Sequence, residues 1–137
     1  MLRPFELHRP TTVADTSALL TTLGPDALIY AGGTEVLLLL KQNLVRADHV
    51  IDIKGIPGLG EIAFWDGRLS IGAIVTHRTV ERSTVVRVHC PTLAGVARHV
   101  ANVRVRNVGT VGGNLAFADP HSDLATVGLA FDSSDVI

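Results

Sequence analysis

Apolar and polar positions fall into short blocks along the chain, and each block predicts an element. Phe5-Glu6-Leu7-His8-Arg9-Pro10 reads as a short extended stretch. Thr11-Thr12 offers a helix cap, and Val13, Ala14, Leu19, Leu20 and Leu23 share one helical face that Gly24-Pro25 closes. Ala27-Leu28-Ile29-Tyr30-Ala31 reads as a buried strand. Gly32-Gly33 turns the chain and Thr34 begins a second helix. Its run Val36-Leu37-Leu38-Leu39-Leu40 is apolar almost all round, which predicts an interior helix. Val50 to Ile53 is a further strand, and Gly55 to Gly60 a turn-rich connection.

Glu61 to Trp65 and Arg68 to Gly72 flank Asp66-Gly67, a strong hairpin signal. Thr76 or Thr79 caps a helix running past Val80, and Pro91 opens another over Thr92 to Val100. Val103, Val105 and Val108 alternate with Arg104, Arg106 and Asn107, which suits a half-exposed strand. Ser122 to Ala130 reads as helical. Helices, a βα step and a hairpin together give an α+β fold, or α/β with an antiparallel part. With no repeat or linker, residues 1–137 are expected to form one domain.

Composition narrows the function classes. Apolar residues make up 47% and charged residues 18%, too apolar for a disordered chain. A net charge of -1 gives no basic field for nucleic acid. The longest aliphatic run, Val36 to Leu40, is too short to span a membrane. The single cysteine, Cys90, excludes a disulfide framework within these residues and fits a reducing, cytoplasmic setting. The six histidines show no His-x-x-x-His pair or His/Cys/Asp cluster at ligand spacing, so no metal site is expected.

The chemistry concentrates at two glycine pairs. One is Ala31-Gly32-Gly33-Thr34-Glu35; the other is Thr110-Val111-Gly112-Gly113-Asn114, followed by Ala118-Asp119-Pro120-His121-Ser122-Asp123. Glycine lets a backbone approach phosphate oxygens and tolerates positive φ. Placed before a helix, its N–H groups add to the positive end of the helix dipole. A bare Gly-Gly most simply marks a tight turn. Two pairs with hydroxyl and amide neighbours suit two loops closing on one dinucleotide. Neither pair matches a Walker loop or a Rossmann Gly-x-Gly-x-x-Gly. Arg98, Arg104 and Arg106 form a local basic group, read as phosphate neutralisation or, more simply, as a solvated strand edge.

At these residues the chain resembles a known family. AGGTEVLLLLK (31–41) resembles the first flavin-contacting loop of the medium, FAD-binding subunits of the xanthine dehydrogenase and carbon monoxide dehydrogenase family, and VRNVGTVGGNLAFADPHSDLA (105–125) resembles the second. LSIGAIVTHRTVE (69–81) and FELHRPTTVADTSALL (5–20) are similar to the family's hairpin strand with its helix and to its usual beginning. Glu35 stands where an Asp is frequent in the family.

The resemblance implies the PCMH-type FAD-binding fold, with the FAD pyrophosphate between the two loops. Ile29, Tyr30, Ala31, Gly32, Gly33, Thr34, Glu35 and Val36 would form the first contact stretch. Thr110, Val111, Gly112, Gly113 and Asn114 would form the second. Asp123 would hold flavin-side hydroxyls, and Val100 would touch FAD from the side.

It further implies an oxidoreductase subunit of a molybdenum hydroxylase. Electrons would pass from iron–sulfur clusters of a small subunit, beside a molybdenum-binding large subunit, through FAD to NAD or a quinone. No residue of this chain is then expected to be catalytic itself. The chain ends soon after the second loop, before the family's last strands and C-terminal domain. A truncated form that binds FAD weakly is therefore an expectation. A non-catalytic remnant and a module for another phosphorylated ligand are alternatives.

Overall fold

A computed structural model of the chain describes residues 2–134. The N-terminal half is built on three parallel strands: β1 (Glu6–His8), β2 (Ala27–Tyr30) and β3 (His49–Asp52), in the order β1-β3-β2. Helix α1 (Val13–Leu23) links β1 to β2 through a 3-10 turn at Gly24–Asp26, and α2 (Val36–Lys41) links β2 to β3. Register is set by the apolar residues of the central strand. Val50 stands opposite both Leu7 and Leu28, Ile51 opposite His8 and Ile29, and Val50 and Ile51 are buried. A parallel strand flanked on both sides buries both faces, which explains the Val-Ile pair in β3.

The second half begins with an antiparallel hairpin, β4 (Ile62–Trp65) and β5 (Arg68–Ile71). Asp66 and Gly67 have φ of 49° and 74°, the paired positive values of a tight two-residue hairpin turn. Six helices follow: α3 (His77–Arg82), α4 (Thr84–His89), α5 (Pro91–His99), α6 (Val103–Val108), α7 (Val111–Phe117) and α8 (Asp123–Ala130). Val75, Val80, Val86, Ala94 and Ala97 form the core of this half, with Ile62, Leu69, Ile71, Leu93 and Val111 packed around it. The hairpin is thus a floor for α3 to α5. Among the described residues no helix is long and apolar enough to cross a membrane.

Several expectations hold and several need correction. Thr12 caps α1 by accepting from Asp15 N–H at 3.0 Å, Thr76 caps α3, and Pro91 opens α5. The face expected for α1 holds at Leu19, Leu20 and Leu23, which are half-buried, but not at Val13 and Ala14, which are exposed, and buried Thr16 joins it. Thr16 can be buried because its hydroxyl donates to the Thr12 carbonyl at 2.9 Å. Helix α2 starts at Val36 instead of Thr34, and Leu38 is half exposed while Leu40 is buried, so the run is not interior all round. Residues 103–108 are helix α6 and not a strand. Asn102 decides this: its side-chain oxygen accepts from Arg104 and Val105 N–H at 2.9 and 3.2 Å, nucleating the turn. The second glycine pair is likewise not a loop, because Gly112 and Gly113 occupy the first turn of α7.

Candidate functional site

The first glycine segment leaves the carboxyl end of β2, the edge where open α/β sheets bind ligands. Gly33 has φ of 74°, and a Cβ there would run into the Tyr30 ring. Lys54 also contacts Tyr30, with its ammonium 3.8 Å from the ring centroid. The carbonyls of Gly33 and Glu35 accept from Leu37 and Leu39 N–H, starting α2. Glu35, at the cap, makes no side-chain capping bond. Among the described residues, the N–H groups of Gly32, Gly33, Thr34 and Glu35 meet no acceptor within the chain. The segment is therefore a row of free donors.

The second segment is built differently. Thr110 is buried and its hydroxyl oxygen accepts from Gly113 N–H at 3.1 Å. Val111 and Gly112 donate to the carbonyls of Val75 and Ala73 at 2.9 and 2.8 Å. The first-turn amides of α7 are thus committed to the chain that follows the hairpin. A Cβ on Gly112 would stand 2.7 Å from Ala73 Cβ, so this glycine is required by packing. Asn114 accepts from the Ser122 hydroxyl at 2.6 Å through its side-chain oxygen, which orients its NH₂ as the free end. Asp119 accepts from His121 N–H at 2.8 Å and from its ring at 3.0 Å; these bonds hold its carboxyl below the usual range. Asp123 lies exposed in the first turn of α8, beside Ser122.

The two segments meet. A Cβ on Gly32 would stand 2.9 Å from Gly109 Cα and closer still to the Val108 carbonyl oxygen, so the first segment packs against the peptide leading into the second. Behind that contact, His77 is 3% exposed; its N–H donates to the Gly109 carbonyl at 3.0 Å and its Nδ1 has no partner. Burial pushes the His77 pKa below its ordinary value. Val100 ends α5, and its carbonyl accepts from Arg106 Nη1 at 3.0 Å. Arg106 Nε also stands 3.6 Å from Glu81, which takes a bidentate bond from Arg78 at 2.9 and 3.1 Å. That bond from Arg78 holds the Glu81 carboxyl low. Arg106 is therefore a structural tie between α3 and α6 and not part of a solvated strand edge.

Two features escape sequence reading. Lys54 follows β3 at the carboxyl edge of the sheet and bonds Asp52 at 2.8 Å, beside Tyr30. The signal for it was the short Asp52-Ile53-Lys54 spacing just past a strand end. Glu6, His8 and His49 come together across β1 and β3, although no ligand spacing marks them in sequence. An open surface groove lined by Leu7, Arg9, Thr11, Asp15 and Leu19 includes no residue of either glycine segment.

Residues 3–137 match the family described as the FAD binding domain in molybdopterin dehydrogenase. The chain belongs to that family. FAD is the family's cofactor. This FAD-binding domain is 35% identical over 133 residues to the carbon monoxide dehydrogenase medium chain of Hydrogenophaga pseudoflava, covering 97% of this chain and 46% of that one. It is 35% identical over 127 residues to the xanthine dehydrogenase FAD-binding subunit of Escherichia coli O157:H7, covering 92% and 43%. A solved structure of the Hydrogenophaga enzyme, in a form lacking the Mo-pyranopterin moiety of its cofactor, superposes with a TM-score of 0.93 at 36% identity, over 95% of this chain and 45% of that one. The α+β FAD-binding fold is therefore that of the relatives. The chain spans less than half the length of these relatives.

Proposed function

We propose that this chain grips the pyrophosphate of FAD between its two glycine segments, as part of the electron-transfer subunit of a molybdenum hydroxylase. The observation that carries this reading is the approach of Gly32 to the Val108–Gly109 peptide, which brings the segments to one place. The first segment, Ile29 to Val36, would supply donors. The free N–H groups of Gly32 to Glu35 suit phosphate oxygens, Gly33 takes the positive φ that turns the segment past Tyr30, and Thr34 adds a hydroxyl.

The second segment would act by side chains and bare surface, because its amides are already bonded. Thr110 and Val111 fix the start of α7, Gly112 and Gly113 let it pack closely on Ala73 and Thr110, and Asn114 offers its NH₂ group. Asp123 would accept bonds from ribityl or ribose hydroxyls, and Val100 would add an apolar contact. The bound flavin supplies the redox chemistry, while the protein contributes binding, orientation and electrostatics.

The relatives' names, a medium chain and an FAD-binding subunit, support a place in a multi-chain enzyme. The partners in this reading are a molybdenum-binding large subunit and an iron–sulfur small subunit. NAD and quinone are both candidate acceptors. The lone thiol of Cys90 supports a cytoplasmic setting.

Fluorescence titration tests the grip. FAD and FMN share the flavin but only FAD carries a pyrophosphate. Saturable one-to-one quenching of FAD, with FMN bound much more weakly, is expected. Equal affinity for the two, or no FAD binding, would count against the reading.

A further inference from the structure

We propose that Glu6, His8 and His49 form a site for one transition-metal ion of the zinc class, which ties β1 to β3. Parallel register sets Glu6 opposite His49, and His8 follows two residues later on the same face of β1. Three potential ligand atoms converge as a result. His8 Nε2 and His49 Nδ1 are 3.1 Å apart, and the Glu6 carboxylate oxygens stand 3.6 Å from His49 Nδ1 and 3.9 Å from His8 Nε2. Ligands about 2.0–2.1 Å from a tetrahedral zinc lie roughly 3.3–3.4 Å from one another, so this triangle needs only small shifts to accept an ion.

The burial pattern fits the same role. The imidazoles are 18% and 26% exposed at their side chains, fixed by the sheet, whereas Glu6 is 68% exposed and free to swing in. The rings are tilted by 46° with centroids 5.2 Å apart, so they do not stack face to face. Two imidazole nitrogens with one carboxylate suit Zn²⁺, Co²⁺, Ni²⁺ or Cu²⁺, and not Ca²⁺ or Mg²⁺, which take oxygen sets. Three protein ligands leave a fourth position for water.

The site lies at the amino end of β3, whereas the Gly32-Gly33 segment follows the carboxyl end of β2. Parallel strands put those ends at opposite edges of the sheet, so the ion would act as a clip on the first strand and not in the flavin chemistry. It does not depend on the proposed FAD grip.

Cobalt is the probe. The purified chain, without a polyhistidine tag and stripped with EDTA, is titrated with Co²⁺ and followed by visible absorption. A d–d band saturating at one equivalent and bleached by Zn²⁺ is expected. His8→Ala, His49→Ala and Glu6→Gln should each weaken Co²⁺ at least about tenfold. Glu6 is exposed, so Glu6→Gln keeps the fold, which circular dichroism verifies. The absence of a saturable band, or a band whose affinity Glu6→Gln leaves unchanged, overturns the proposal.

Discussion

Gly32 lies so close to Val108 that its α-hydrogen, and nothing larger, fits between them. The carbonyl of Val108 and Cα of Gly109 fill the space a side chain would need. This contact joins the sheet half of the fold to the helical half. Gly32→Ala must push the two apart, at a cost of about 1–3 kcal/mol. A lower urea midpoint together with weaker FAD binding is the expected result. An unchanged midpoint would mean that the segments do not press on each other.

Thr110 is the latch of the second segment. Its buried hydroxyl satisfies Gly113 N–H, and the strand-like bridge to Thr76 anchors it to the start of α3. Thr110→Val keeps the shape and removes the acceptor, costing about 1 kcal/mol, as for loss of a helix cap. Thr110→Ser restores the oxygen and should recover most of that loss. Urea unfolding of the three proteins measures the difference.

His77 makes stability pH-dependent. Its pKa in the folded protein lies below the ordinary value of 6.5, so near that pH the unfolded chain binds more protons than the folded one. Stability is therefore full above the ordinary value and falls as pH drops below it towards the folded value. His77→Leu removes this slope along with the unpaired Nδ1. Denaturation at pH 5.5 and 7.5, as chosen conditions on either side of the ordinary pKa, should show a larger loss on acidification in the parent than in the variant. Equal losses would assign the slope to other groups.

Local signals in the sequence proved the most readable. The Asp66-Gly67 turn, the Thr12 cap and the Pro91 start each depend on residues adjacent in the chain. Helix α6 was misread because Val-Arg alternation over only six residues imitates a strand, while the deciding Asn102 cap lies one residue earlier. The roles of Gly112 and Arg106 were not legible for another reason. Gly112 is explained by Ala73, and Arg106 by Glu81, partners that only the tertiary fold supplies. The Glu6, His8 and His49 group depends on strand register, which spacing along one chain does not reveal. The glycine segments stood out, but the sequence did not show that one keeps its amides free and the other spends them on packing.

That difference between the segments is the central claim, and amide chemical shifts report on it residue by residue. Two-dimensional ¹H–¹⁵N spectra of the labelled chain, recorded with and without saturating FAD, are the direct measurement. The account predicts the largest shifts at the backbone amides of Gly32, Gly33, Thr34 and Glu35 and at the Asn114 side-chain amide. The amides of Val111 and Gly112, held by Val75 and Ala73, should move little. Unmoved signals from Gly32 to Glu35 at saturation, or the largest shifts at Val111 and Gly112, would contradict it.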